Sequence, residues 1–151
     1  MNIVVIENKH FEREWLVKIL ERAFPNSVIN EFRNAGDFLL VVGMLMAVDI
    51  IITEHHLPLC EAKPDIEEFV EKLRSSFPEA VANWNHQEAA ERIVRHMKKN
   101  NINIPVVIYT HSQEEWIDPD VLQDSKVVYC EKRAEMKNIL SCVRQILSIP
   151  A

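Results

Sequence analysis

Short unbroken apolar runs alternate along this chain with longer stretches in which apolar residues return every three or four positions. Asn2-Ile3-Val4-Val5-Ile6 is β-branched almost throughout and stops at Glu7-Asn8, as a strand covered on both faces of a parallel sheet does. Phe11, Trp15, Ile19, Leu20 and Phe24 then recur at helical spacing until Pro25-Asn26, which predicts a covering helix with these residues turned inward. Ser27 to Phe32 reads as a short second strand. Asp37 to Ala47 is apolar on nearly every side, predicting a helix largely buried against the sheet and slightly weakened by Gly43. Asp49-Ile50-Ile51-Ile52-Thr53 is the clearest strand, and it runs into Glu54-His55-His56-Leu57-Pro58.

In the second half, Ile66, Phe69, Val70, Leu73 and Phe77 share one helical face over Asp65 to Phe77, and Ala90, Ile93, Val94 and Met97 share another over Gln87 to Lys99. The apolar stripe of the first of these helices is expected to pack on the domain itself. Pro105 to Tyr109 is the next strand, ending at Thr110-His111-Ser112. Asp118-Pro119 supplies a cap and first-turn proline for a short helix to about Gln123. Lys126 to Cys130 is the last strand, and Ala134 to Leu147 the last helix, with Met136, Ile139, Leu140, Val143 and Leu147 facing inward. The order β-α-β-α-β-α-α-β-α-β-α implies an α/β fold with an open parallel sheet and helices on both faces.

Composition narrows the class further. The 151 residues suit one domain over 1–151, and 48% hydrophobic with 26% charged residues is an ordinary soluble balance. A net charge of -6 opposes binding to the phosphate backbone of nucleic acid. The longest apolar run, Phe38 to Val48, is too short to span a bilayer, and no signal segment opens the chain; cytoplasmic residence is the expectation. Cys60, Cys130 and Cys142 have neither disulfide-framework nor zinc-site spacing and read as reduced thiols.

Chemistry concentrates just past the strands: Glu7, Asn8 and His10 after the first, Glu54, His55 and His56 after the third, Thr110 and His111 after the fourth, and Lys132 after the fifth. In a parallel α/β sheet these positions converge on one edge, where such folds bind ligands. Ile3-Val4-Val5-Ile6-Glu7-Asn8, the run from Asp49 to Pro58, and Pro105-Val106-Val107-Ile108-Tyr109-Thr110 together resemble the receiver domains of bacterial response regulators. That resemblance implies a flavodoxin-like strand order 2-1-3-4-5, with a helical insertion at about 59–87. It places Glu54 at the phosphoacceptor position, Glu7 and Asn8 at the acidic cation pocket, and Thr110, Tyr129 and Lys132 at the switch positions. His55, His56 and His111 are expected to line the pocket.

Three departures from the family pattern bear on chemistry. Glu54 adds a methylene to the acceptor, moving its carboxylate by on the order of 1.5 Å, which spoils in-line attack. Glu7 with Asn8 offers one acidic charge where two are usual, so magnesium binding is expected to be weak, with no other cofactor. His111 stands where the family keeps a small residue. Arg133 also replaces the proline that usually follows the lysine.

The leading expectation is therefore a degenerate, non-enzymatic receiver that signals by protein–protein interaction without aspartyl phosphorylation. Its partner would be a histidine kinase or an output protein, with a homodimer also open. No output domain is expected beyond the last helix, and Trp116 beside the short helix is expected to be packed, with an exposed binding anchor as the alternative. A second reading is a metal-binding or metal-dependent enzyme built on His10, His55, His56 and His111 with Glu7 and Glu54. The third is a conventional regulator phosphorylated on Glu54, Thr53 or Ser112.

Overall fold

The computed structural model describes residues 1–45, 47–133 and 138–149. Five strands, β1 (Asn2–Ile6), β2 (Val28–Phe32), β3 (Ile50–Thr53), β4 (Val106–Thr110) and β5 (Val127–Glu131), form one sheet in the order β2-β1-β3-β4-β5. Every neighbouring pair is parallel, so each connection crosses over the sheet and carries helix with it. Alternate strand residues serve two cores, because successive strand side chains point to opposite faces. On one face α1 (His10–Ala23) and α7 (Asn138–Leu147) bury Leu16, Leu20, Ile139 and Val143 against Ile3, Val5, Ile52 and Val107. On the other, α2 (Ala35–Val41), α5 (Ala89–Lys99) and α6 (Pro119–Leu122) bury Phe38, Ile93, Met97 and Val121 against Val4, Ile6, Ile51 and Ile108.

Between β3 and β4 the chain adds α3 (Ile66–Ser76) and a one-turn helix, α4 (Pro78–Val81), ahead of α5. Leu73 and Val81 cluster with Leu39 of α2, flanked by Phe69, Phe77 and Leu40, so the inserted apolar stripe is covered by the chain itself. The close approach requires Gly36, where a Cβ would stand 2.4 Å from the Leu59 carbonyl oxygen and 2.8 Å from Leu73 Cδ1. The Ala35 and Gly36 amides donate to the Pro58 and Leu59 carbonyls at 3.0 and 2.7 Å, and Asn34 accepts from the Asp37 amide. Donors that a helix N-terminus otherwise leaves free are thereby satisfied.

Several expectations need correction. Phe11 and Trp15 do not face the sheet: they are 77% and 60% exposed, while Arg13, Leu16 and Leu20 are buried. Arg13 wins an inward place because its guanidinium donates to the Glu7 carbonyl at 2.8 Å and pairs with Glu31 at 3.4 Å. The helix predicted over Asp37 to Ala47 starts at Ala35 and ends at Val41, followed by a 3-10 turn at Val42–Met44. Met44 is exposed and Ala47 takes a left-handed backbone, so that run is not buried on all sides. Trp116 is 65% exposed rather than packed. Ala134 to Lys137, including the inward place predicted for Met136, lie outside the described residues. Among the described residues no helix is long and apolar enough to cross a membrane, and the three thiols are free.

Candidate functional site at the strand ends

β1 and β3 are adjacent, with Ile6 opposite Thr53, so Glu7 and Glu54 leave the sheet side by side. The Glu54 amide donates to the Ile6 carbonyl at 2.9 Å and prolongs that ladder by one step. Lys132 follows β5, and its amide donates to the Thr110 carbonyl at 2.8 Å. Its side chain ends among carboxylates, with Nζ 5.5 Å from the Tyr109 ring centroid. Lys132 Nζ lies 2.5 Å from Glu7 Oε2, from Glu54 Oε2 and from Glu12 Oε2. The Glu54–Lys132 ion pair is thus one arm of a larger cluster.

Glu12 is the member that reading the sequence missed. It sits in the first turn of α1, and an acidic residue in the first turn of a helix that begins at a strand end is the signal that points to it. Asn8, expected in the acidic pocket, is exposed and borders the neighbouring cavity instead. The Lys9 amide donates to Glu7 Oε1 at 2.9 Å, and this tight turn directs Glu7 inward and Asn8 outward.

The charges act on one another strongly because they are little hydrated. Burial pushes the Glu7 carboxyl above the usual carboxylate range despite the pull of Lys132. Burial also acts to raise Glu12, but the hydrogen bond and charge of Lys132 outweigh it and the net shift is downward. Burial alone would lower Lys132, yet Glu54 and Glu7 raise it above its ordinary value. The ammonium therefore stays charged at neutral pH.

Beside this cluster is a cavity of about 470 Å³, bordered by Glu54, His56, His86, Thr110, His111 and Trp116. Ser112 ties its far wall together: its amide donates to Thr110 Oγ1 at 3.1 Å, its hydroxyl is 3.3 Å from His56 Nε2, and its carbonyl accepts from the Tyr129 hydroxyl at 2.8 Å. Burial, with His55 alongside, lowers the His56 pKa. His55 does not line this cavity. It is buried, and its Nε2 is 2.8 Å from Glu91 Oε1 on α5, a partner with no local signal in the sequence.

No family model matches the chain, and no curated protein matches it by sequence. Solved structures do match in fold. The N-terminal domain of a response regulator/sensory box/GGDEF 3-domain protein from Carboxydothermus hydrogenoformans superposes with a TM-score of 0.64 at 15% identity, covering 99% of this chain and 95% of that one. The receiver domain of a Francisella response regulator gives 0.63 at 13% identity, covering 97% and 96%. The Thermotoga maritima response regulator TrrA, in complex with magnesium and BeF, gives 0.57 at 12% identity, covering 96% and 97%. The chain has the receiver fold.

The receiver fold implies a divalent cation at the strand-end carboxylates, and the residues here do not fit one. Glu7, Glu12 and Glu54 do present oxygens within 4.8 Å of one another, but Lys132 Nζ already bonds to all three. A cation would have to displace a buried ammonium, and the oxygens it prefers are spent on that ammonium. The His55 and His56 ring centroids are 4.8 Å apart and those of His56 and His86 6.3 Å, but the four strand-end histidines do not converge on the carboxylates. His10 is exposed on α1, His55 is turned to Glu91, and His111 is exposed 3.8 Å from Glu12. Among the described residues the carboxylate trio alone has metal-ligand spacing, and it contains no histidine. The expected site on His10, His55, His56 and His111 with Glu7 and Glu54 thus has no shared ligand spacing among the described residues, since His55 is engaged by Glu91 and His10 and His111 stand at the surface.

Proposed function

We propose that this chain is an atypical receiver-like signalling module, non-enzymatic, that acts through contact with another protein and does not depend on aspartyl phosphorylation. The observation that carries the reading is Lys132, whose ammonium is bonded to Glu7, Glu12 and Glu54 together. Phosphoryl transfer to a carboxylate needs a free attacking oxygen, a cation to offset crowded negative charge, and a lysine left over for the phosphoryl oxygens. Here one lysine serves as the cation, and Glu54 has one oxygen on Lys132 and the other accepting from the His55 amide at 2.6 Å. Freeing Glu54 for attack would break both of its hydrogen bonds and leave a buried carboxylate without its partner ion, a cost that supports a locked site.

In this reading the residues at the switch positions hold a single arrangement. The Tyr129 hydroxyl donates to the Ser112 carbonyl, and Thr110 Oγ1 accepts from the Ser112 amide. Partners belong to a signalling pathway, a histidine kinase or an output protein, and are met through the outer surface rather than the pocket. Incubation with acetyl phosphate and magnesium, followed by intact-mass measurement, tests the proposal. The expected result is no added phosphoryl group and no magnesium-dependent change in intrinsic tryptophan fluorescence; one phosphoryl group per chain on Glu54 overturns it.

A further inference from the structure

The solvent face of α1 carries a pattern that the strand-end site does not use. At 100° per residue, Phe11, Trp15, Lys18 and Arg22 fall within a band of roughly 60°, opposite the buried Arg13, Leu16 and Leu20. All four are exposed, the two aromatics by 77% and 60%. Two large aromatic rings a turn apart in water are uncommon on a surface that contacts nothing. The stripe reads aromatic, aromatic, basic, basic, and its spacing is self-complementary. A two-fold axis between Leu16 and Val17 would set Trp15 opposite Lys18 of a second copy and Phe11 opposite Arg22.

We propose that α1 mediates self-association of this chain, two copies of the helix lying antiparallel with this stripe at the seam. The two-fold operation forms each aromatic–cation contact twice, so the patch is its own partner, as an isologous interface requires. A cation over an aromatic face is attracted by the ring quadrupole, and the attraction grows as the pair is desolvated. Glu14, which holds Lys18 within its own helix at 2.8 Å, flanks the stripe and reaches Lys18 of the second copy in the same geometry. Antiparallel helix dipoles add to the match. Charge complementarity thus selects a second copy over a wholly apolar partner, which would bury Arg22 without a counter-group and desolvate the Lys18–Glu14 pair.

A single helix pair covers less than the roughly 800 Å² per partner of a standard interface, so the dimer is weak and reversible. Self-association through this stripe is independent of the proposed function of the strand-end site, because α1 meets that site through Glu12 and Arg13, which lie outside the stripe. Sedimentation velocity of the full chain from about 5 to about 500 µM should show a monomer passing to a dimer, the range in which small interfaces dissociate. Trp15→Ala, and separately Lys18→Glu with Arg22→Glu, should weaken association by at least about tenfold, the loss of roughly 1.4 kcal/mol. These positions are exposed, so circular dichroism melts of Trp15→Ala should match the unaltered protein, and the double charge reversal should lower the melting midpoint only slightly through the lost Lys18–Glu14 pair. Trp15→Lys should abolish the dimer by bringing like charges together, whereas Trp15→Lys combined with Lys18→Trp should restore it, since the two-fold axis again pairs ring with cation. A protein monomeric at the highest concentration overturns the proposal and leaves the stripe to a different protein. A dimer indifferent to these changes, or a swap that fails to rescue while folding normally, overturns it as well.

Discussion

Replacing Lys132 by methionine removes the one charge that holds Glu7, Glu12 and Glu54 together while keeping an apolar stem of similar length. The three carboxylates present oxygens within 4.8 Å of one another, and at an effective dielectric of about 20 two unit charges at that distance repel by about 3.5 kcal/mol. The variant escapes part of this by binding a proton, and Glu7, whose carboxyl burial already raises above its ordinary 4.5, is the group that takes it. Holding a proton at pH 7 on a group of unfolded pKa near 4.5 costs about 3.4 kcal/mol, and at pH 5 about 0.7 kcal/mol, at about 1.36 kcal/mol per unit. The expected loss at pH 7 is therefore about 3 to 5 kcal/mol, the usual cost of orphaning a buried ion pair.

The pH dependence of that loss carries the decisive sign. A carboxyl with a raised folded pKa contributes stability that is complete below its unfolded value and is lost as pH rises through its folded value. Glu7 in the variant thus recovers stability as pH falls from 7 to 5, by up to about 2.7 kcal/mol for one proton. Glu12 in the parent protein is shifted down, so its contribution is present above its unfolded pKa and is lost only as pH falls through its folded one, below the range from pH 5 to 7. Urea unfolding of both proteins at pH 5, 6 and 7 measures the effect. Magnesium adds a second arm: the emptied trio should accept the ion and gain about 1.4 kcal/mol at ten times its dissociation constant, while the parent gains nothing. A loss below about 1 kcal/mol at pH 7, or one that does not change with pH, would refute the placement of Lys132 as the central cation.

Glu54→Asp with Asn8→Asp shortens the acceptor but leaves Lys132 bonded to Glu7 and Glu12 and the new acid at the cavity mouth, so intact mass after acetyl phosphate and magnesium should still show no phosphoryl group, and stoichiometric uptake would refute the lock by Lys132. Gly36→Ala forces a Cβ to within 2.4 Å of the Leu59 carbonyl oxygen; a destabilisation of about 2 to 3 kcal/mol is expected in urea titration, with earlier proteolysis in α3 than in the parent. Glu91→Ala leaves the His55 ring buried beside a missing acceptor, which should cost about 2 to 3 kcal/mol and is read from the thermal midpoint.

The strands could be read from the sequence because burial on both faces demands near-continuous β-branched runs, and Ile3 to Ile6, Ile50 to Thr53 and Val106 to Tyr109 are such runs. Helix existence was equally legible at α1, α5 and α7 from apolar spacing. Which stripe of α1 turns inward was not: Phe11 and Trp15 are more hydrophobic than Arg13, and only the Glu7 carbonyl and Glu31, brought close by the sheet, make a buried arginine favourable. The same limit governs the site. Glu7, Glu54 and Lys132 were found from their places at strand ends, since a parallel sheet must deliver those residues to one edge. Glu12 joining them, Asn8 turning away, His55 leaving the cavity for Glu91, and one ammonium bonding three carboxylates are pairings between distant parts of the chain. Local pattern determines secondary structure because its forces act between near neighbours. The direction of a charged side chain is decided by which opposite charge the finished fold brings within reach, and that is a property of the tertiary structure alone.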